Sequence, residues 1–347
     1  MPSKFIPTKK TNPCPICSDT SGDCRTPDGE MLLCHSLPDG GDHSLYKWIK
    51  STDDGIWGIF VPRKEDGDRS IDSRRQWLEL QRQRQERLEQ QARKAHNGLS
   101  SAQRDKAIRL LSRHYGLNSS HRQQLRDRGL TDAQIDESHF FSVYPWAAAP
   151  PGIDEKCPGI KNGKLWTGAT GYACPAFNTR GEAIGYQIRD ENPEAQNKYL
   201  WAKGNFSSHL KIGELPLSVS GRVGMTVLLC EGILKPRIAS YRLQNQFVIG
   251  AAGGNFAGSP LQLRAAIGSC RRIVIAPDAG DILNPHVLRR IESTLSLFNF
   301  TYRVRIAWWG QVEKSAPDID ELSGWGNVQF LTASQWGQLV KDIGGNF

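Results

Sequence analysis

Met225-Thr-Val-Leu-Leu-Cys-Glu-Gly232 is a short apolar run closed by a carboxylate and a glycine. A run of this length, bounded by turn residues, reads as a strand buried on both faces. Downstream come a helix-like stretch to Leu243, the run Phe247-Val-Ile249, a helix near Leu261 to Ile267, and Arg272-Ile-Val-Ile-Ala276. A helix near Val287 to Phe298 and the run Tyr302-Arg-Val-Arg-Ile-Ala-Trp308 follow. Strands alternating with helices predict a parallel α/β sheet. Glu231 then projects from the C-terminal end of a buried strand, where such sheets place ligand groups.

Upstream of this unit, Ala173 to Phe177, Ala183 to Ile188 and Lys198 to Trp201 read as short strands joined by turns such as Asn178-Thr-Arg-Gly181. Pro and Gly between Pro145 and Gly163 mark a loop or boundary. Earlier still, Ser100 or Ser101 caps a helix through Arg113, a second helical unit spans Ser119 to Leu130, and Thr131-Asp-Ala-Gln134 has capping-box spacing. Arg74 to Lys94 is rich in Gln, Arg and Glu with no sustained heptad, which favours a solvated linker helix over a coiled coil. The first 63 residues are turn-rich, with Tyr46, Trp48, Trp57 and Phe60 around the strand-like run Gly55-Ile-Trp-Gly-Ile-Phe-Val61. The expected divisions are 1–65, a small metal module; 66–99, a charged helical linker; 100–145, a helical unit; 146–220, the first part of an α+β core; and 221–347, the parallel α/β unit.

Lys and Arg number 44 against 36 Asp and Glu, a net +8 with pI near 9.1, which favours a polyanionic partner. No run of 18 apolar residues occurs, and Met1 to Lys10 lacks the apolar segment of a signal peptide. A soluble, cytoplasmic protein with no membrane partner is expected. Four of the eight cysteines fall in the first 34 residues. Clustered in a reducing compartment, they point to a metal site.

Cys14-Pro-Ile-Cys17 lets two thiolates reach one Zn²⁺, and Cys24 and Cys34 follow at ribbon-like distances, completing a closed, structural tetrahedral site. His35 and His43 are alternative ligands, most readily in place of Cys24. Lys4, Lys9, Lys10, Arg25, Lys47 and Lys50 are placed to meet phosphates, and Trp48 or Trp57 either stacks on bases or forms the module's core. Cys157, Cys174, Cys230 and Cys270 share no spacing that suggests a site and read as structural.

Besides Glu231, two acidic groups follow strand candidates: Asp278-Ala-Gly-Asp281 and Asp318-Ile-Asp320-Glu321. Three strand-end acidic groups in one α/β unit suit a hard divalent cation, Mg²⁺ or Mn²⁺, which takes oxygen ligands and neutralises phosphate charge in phosphoryl transfer. Arg189 and Lys198, on or beside strands, are candidate nucleotide or template contacts, with Lys161, Lys164, Lys203 and Lys235 adding to the same groove. Gly250 to Gly258 lets backbone approach a phosphate but lacks the Lys-Ser/Thr of a P-loop.

Val227-Leu-Leu-Cys-Glu-Gly232 followed by Ala276-Pro-Asp-Ala-Gly-Asp281 resembles the Toprim motifs of bacterial and phage primases and topoisomerases. Cys14-Pro-Ile-Cys17 is similar to the zinc ribbon of the same primases. The likeness extends to Toprim proteins of bacterial plasmids and phages through Gly250-Ala-Ala-Gly-Gly-Asn-Phe256. This resemblance implies an N-terminal zinc ribbon, a helical linker and an α+β primase-like core ending in a Rossmann-like Toprim subdomain. By it, Glu231 is the general acid/base or metal-linked carboxylate, Asp278 a metal ligand, and Asp318 or Asp320 an accessory acid. Toprim domains usually carry Asp-x-Asp, whereas here Gly280 holds the second acidic position and Asp281 lies one residue on. Either Asp281 takes over through a shifted loop, or the site holds metal less firmly.

The resulting expectation is a DNA primase of plasmid or phage type replication, joining nucleoside triphosphates on a single-stranded DNA template with Glu231, Asp278 and Asp281. A Toprim nuclease, or a replication-associated DNA-binding factor with a degenerate site, are the alternatives. No helicase P-loop is present, so a replicative helicase is an expected partner.

Overall fold

The N-terminal segment has few large apolar side chains, and the structure, a computed structural model, packs Leu32 and Phe60 among its cysteines. It describes residues 6–26, 31–39, 46–52, 55–62, 93, 96–195, 197–268, 270–298 and 302–344. The chain divides into two units, residues 1–85 and 86–347. In the first, β1 (Ile6–Pro7), β2 (Arg25–Thr26), β3 (Leu32–Cys34), β4 (Tyr46–Ser51) and β5 (Gly58–Pro62) form an antiparallel sheet of order β1-β2-β3-β5-β4. Cys14, Cys24, Leu32, Cys34 and Phe60 are its buried core, with Trp48 packed against them. The expected strand from Gly55 begins only at Gly58, because Thr52 to Trp57 closes a turn in which Thr52 N and Gly55 N donate to Trp57 O and Thr52 O. Lys4, His43 and the expected linker helix, apart from Arg93 at its end, lie outside the described residues.

The second unit opens with helices α1 (Ser101–Tyr115), α2 (Ser119–Asp127) and α3 (Asp132–Glu137). Ser100 with Gln103, and Thr131 with Gln134, form full capping boxes. Helix α2 stops short of the expected Leu130 because Gly129, at φ +90°, turns the chain. Next come β6 (Phe141–Val143), the hairpin β7 (Ile160–Lys161) and β8 (Lys164–Leu165), then β9 (Gly171–Phe177), β10 (Ala183–Asp190) and β11 (Tyr199–Trp201). An antiparallel sheet of order β11-β10-β9-β6 results. Side chains alternate across it. Ala173 and Phe177 face α1 through Ile108 and Leu111, whereas Tyr172 and Cys174 face a second core with Leu125, Leu130 and Ile135. The Pro/Gly-rich stretch is irregular apart from β7, and Cys157 and Ile160 within it are fully buried in the α1 core.

The remainder contains β12 (Ser218–Ser220), β13 (Thr226–Glu231), α4 (Lys235–Arg242), β14 (Val248–Ala251), α5 (Pro260–Ile267), β15 (Arg272–Ala276), α6 (Pro285–Leu295), β16 (Arg303–Trp308), β17 (Gln329–Leu331) and α7 (Ala333–Asp342). They build a six-stranded sheet, β12-β14-β13-β15-β16-β17, whose four central strands are parallel and whose edges are antiparallel. Val227, Leu229, Ile273 and Ile275 pack on one face with Leu263, Leu288, Ile291, Trp336 and Val340. Leu228, Cys230, Val274 and Ala276 pack on the other with Ala239, Leu243 and Ile319. The fold is thus mixed α/β: a four-cysteine cluster, antiparallel sheets, and a mostly parallel C-terminal sheet.

Within this unit, one cation on α1 ties the helix to β10 and to the chain that follows β11. Arg104, 1 % exposed, donates to the carbonyls of Leu99, Ile184, Ser208 and His209. Burial pulls its pKa down to about 10, and among the described residues no carboxylate pairs with it. Because the acceptors are backbone, no side-chain swap can replace them. Arg104→Ala is expected to destabilise this unit by about 4 kcal/mol, since several buried carbonyls lose their donors at once. Urea denaturation checks this, and a loss under about 1 kcal/mol would show that water enters to replace the guanidinium.

Candidate active site and metal centre

In the N-terminal unit, Cys14, Cys17, Cys24 and Cys34 place their sulfurs within 4.8 Å of one another. Cys17 and Cys24 sulfurs are 3.4 Å apart, and Cys24 and Cys34 sulfurs 4.0 Å apart. Tetrahedral zinc with thiolate bonds near 2.3 Å separates its sulfurs by about 3.8 Å, so the cluster fits a structural zinc. His35 meets the cluster only through its backbone N–H, which donates to Cys24 Sγ, while its ring packs edge-on to Trp57. Hydrogen bonding within the cluster pushes Cys17 toward thiolate and Cys14 toward thiol, the response of crowded sulfurs that cannot all ionise without a cation. The remaining cysteines are buried, and burial pushes Cys157 and Cys174 up to about 12, as inert structural thiols require.

The acidic pocket lies where the parallel strands end. Strand β13 delivers Glu231 beside Ala251 of β14, and Gly232, at φ +90°, reverses the chain into α4. That turn is tight. A Cβ on Gly250 would sit 2.1 Å from Pro236 Cγ and 2.2 Å from Gly232 O, so this position of the glycine-rich segment serves β-strand to helix packing. Beyond β15, Gly280 at φ +81° folds the acidic loop back on itself, and Asp281 Oδ2 accepts from Asp278 N at 2.7 Å. Glu231 and Asp281 consequently line one small pocket with Gly253, Gly254, Phe256 and Arg290.

Asp278, Asp318 and Lys235 form an ion-pair set: the lysine contacts Asp278 Oδ2, and its Nζ lies 2.8 Å from Asp318 Oδ2. Asp318 Oδ1 accepts from Ala279 N, whereas Asp278 Oδ1 is buried with no hydrogen-bond partner. Burial raises Asp278 to about 7 against the pull of Lys235, aided by Asp318 and Glu231. Burial likewise raises Asp281 to about 6, with Glu231 adding to it. Lys235 is held charged in spite of burial by Asp278, Asp318 and Asp320. Both members of the Lys235–Asp278 pair shift up, Asp278 because it is buried and Lys235 because several carboxylates surround it.

Asp320 points elsewhere. It is 2 % exposed and accepts from Arg128 at 2.5 Å, an ion pair spanning 192 residues that ties the helical segment to the parallel sheet. Arg189 is likewise engaged within the antiparallel sheet, donating to Gln124 Oε1 and Tyr172 Oη. Lys198 is exposed beside β11. Two residues escaped the sequence reading: Arg128, and Arg290, which lines the Glu231 pocket from α6 and donates to Gly253 O. Neither sits near a motif. His121 hydrogen-bonds Ser142 and Glu191 in an order reminiscent of a hydrolase triad, but Ser142 is 1 % exposed and accepts from Asn118 N, so no substrate reaches it.

The donor chemistry of the pocket suits a hard cation. All its acidic ligands are oxygens, one of them orphaned and buried, and negative charge exceeds positive. Among the described residues only the four cysteines bring three or more ligand atoms within 4.8 Å of one another. The carboxylates therefore would hold Mg²⁺ through one or two direct contacts and retained waters, its usual coordination.

Raised carboxylates have a sign that can be tested. The folded pKa values of Asp278 and Asp281 lie above the ordinary 3.8, so the native chain keeps protons that the unfolded chain releases between about pH 4 and 7. Stability falls as pH rises through that window, and the cost is complete above it. In Mg²⁺-free buffer Asp278→Asn is expected to stabilise the protein by about 3–4 kcal/mol at pH 8 and by nothing at pH 4. Thermal melts across this range measure it; a variant less stable at pH 8 would mean the Lys235 pair outweighs desolvation.

No protein-family model and no curated protein sequence matches the chain. Its structure is similar to solved bacterial primases. With the E. coli primase catalytic core it shares 15% identity at a TM-score of 0.49, over 70% of this chain and 84% of that one. For a DNA primase domain from Pseudomonas aeruginosa the values are 17%, 0.47, 65% and 76%. For the zinc-binding and RNA polymerase domains of Aquifex aeolicus primase they are 15%, 0.46, 84% and 75%. Likeness at this level concerns the fold, and function has to be argued from the site. Among the described residues, no helix is long and apolar enough to cross a membrane.

Proposed function

We propose that this chain is a template-directed nucleotidyltransferase that makes short RNA primers on single-stranded DNA. The observation that supports it most is the pocket at the C-terminal ends of β13 and β15, which Glu231 and Asp281 line beside Arg290, with the Asp278 backbone N–H donating to Asp281. Mg²⁺ or Mn²⁺ bound there by Asp278 and Asp281 would supply charge neutralisation for the triphosphate. Glu231 is then the group that takes the proton from the primer 3′-hydroxyl oxygen. Arg290, anchored by Gly253 O, is placed to meet phosphate oxygens. Asp318 and Asp320 hold Lys235 and Arg128, and so keep the pocket's walls in place.

A template surface is offered by Trp146, 55% exposed and edge-on to Trp166, with Lys161 over the Trp166 ring and Lys164 on the same hairpin. Aromatic faces flanked by ammonium groups suit stacked bases and backbone phosphates. Arg189, Lys198 and the zinc module contribute basic groups to the same task, and a separate helicase would expose the strand. A second reading has its own support: Lys235 already fills the space between Asp278 and Asp318, as in a DNA-binding replication factor whose catalytic site has degenerated.

Purified protein, a single-stranded template, labelled ribonucleotides and Mg²⁺ or Mn²⁺ separate the readings. Template-dependent oligomers establish the primase. Salt-sensitive DNA binding with neither synthesis nor cleavage establishes the binding factor, and cleavage alone a nuclease.

A further inference from the structure

Lys235 stands at the first position of α4, immediately after the Glu231-Gly232 turn. A cation is disfavoured at a helix N-terminus, where the macrodipole is positive, and this one is also only 12% exposed. Its placement needs compensation, which two aspartates from different loops supply. The oxygens sort cleanly. Asp278 Oδ2 and Asp318 Oδ2 face the ammonium, Asp318 Oδ1 is taken by Ala279 N, and Asp278 Oδ1 alone is buried without a partner. Both oxygens of Asp318 are therefore already engaged, while Asp278 keeps one without a partner.

We propose that Lys235 is a resident cation occupying the place of a divalent ion between Asp278 and Asp318, so that the pocket takes a single metal, on the side of Glu231, Asp278 Oδ1 and Asp281. This rests on the reading that the pocket binds a divalent cation. It assigns Lys235 a positioning role, in place of the phosphate contact its sequence position suggested. The packing of Pro236 against Gly250 fixes the backbone from which Lys235 extends, and the two aspartates hold its ammonium. Charge supplied by the chain needs no ion from solution, and the aspartates stay gathered when metal is absent.

Bound Mn²⁺ can be counted by electron paramagnetic resonance on zinc-loaded full-length protein, without reference to activity. Wild type is expected to bind one Mn²⁺ and Lys235→Met two, the second weakened by at least about tenfold when Asp318→Asn is added. Two ions in wild type, or no gain in Lys235→Met, overturn the proposal, including the case where that variant loses nucleotide affinity instead. One ion in both overturns it while leaving the catalytic-metal reading intact. None in wild type but one in Lys235→Met sinks the catalytic-metal reading and keeps the resident cation; none in either sinks both. Should Lys235→Met fail to fold, the native background decides. Asp318→Asn is expected to change Mn²⁺ affinity by less than about threefold and Asp278→Asn by more than about tenfold, and equal losses overturn the proposal.

Discussion

Exchanging Glu231 for glutamine is expected to lower template-directed incorporation of ribonucleotides at least about a thousandfold, the combined size of losing a proton acceptor and a charge aimed at the reacting centre. The replacement keeps shape and removes charge. Glu231 sits at the exposed end of β13, half-buried, and its backbone rather than its carboxylate is bonded into the sheet. The fold should therefore be unaffected, and a melting temperature within about 2 °C of wild type is the control. Steady-state incorporation at saturating template and Mg²⁺ gives the comparison. If the variant keeps a tenth of the activity or more, Glu231 is not the catalytic group, and Asp281, on the same pocket, becomes the candidate.

Loss of the zinc is expected to unfold the N-terminal unit outright. Its core consists of Leu32 and Phe60 with the cysteines themselves, to which Ile16, Leu37, Tyr46 and Trp48 add partial cover. Burying two such side chains contributes about 2–3 kcal/mol each, far less than the entropy of ordering some tens of residues, which costs about 1–2 kcal/mol apiece. Zinc binding contributes about 10–16 kcal/mol to comparable small modules, enough to change the outcome. Chelation, or Cys34→Ser, is expected to raise protease cleavage within this unit at least about a hundredfold while residues 86–347 stay protected. Mass analysis of the fragments tells the two units apart. Unchanged protection after zinc is removed and quantified would mean the antiparallel sheet holds by itself.

Much of the fold was legible because strands buried on both faces carry an unmistakable signal. Met225 to Cys230, Phe247 to Ile249, Arg272 to Ala276 and Tyr302 to Trp308 all lie within two residues of the bounds of β13, β14, β15 and β16. The edges β12 and β17 are three residues each, too short for a pattern to show, so neither they nor α7 stood out. The cysteine cluster was readable from spacing alone, since Cys14 and Cys17 are constrained by their turn.

By itself, then, the sequence determined the parallel sheet, the four-sulfur cluster, and which strand ends carry acidic groups, because each depends on local periodicity or short spacing. Only the tertiary structure decided how those acids divide. Asp320 goes to Arg128, 192 residues away, and Asp318 to Lys235. Asp281 turns back beside Glu231 because Gly280 adopts a left-handed conformation, and Arg290 arrives from a helix that carries no motif. Ion pairing in a buried pocket is settled by which charges the packing brings within a few ångströms, a quantity that no spacing along the chain encodes.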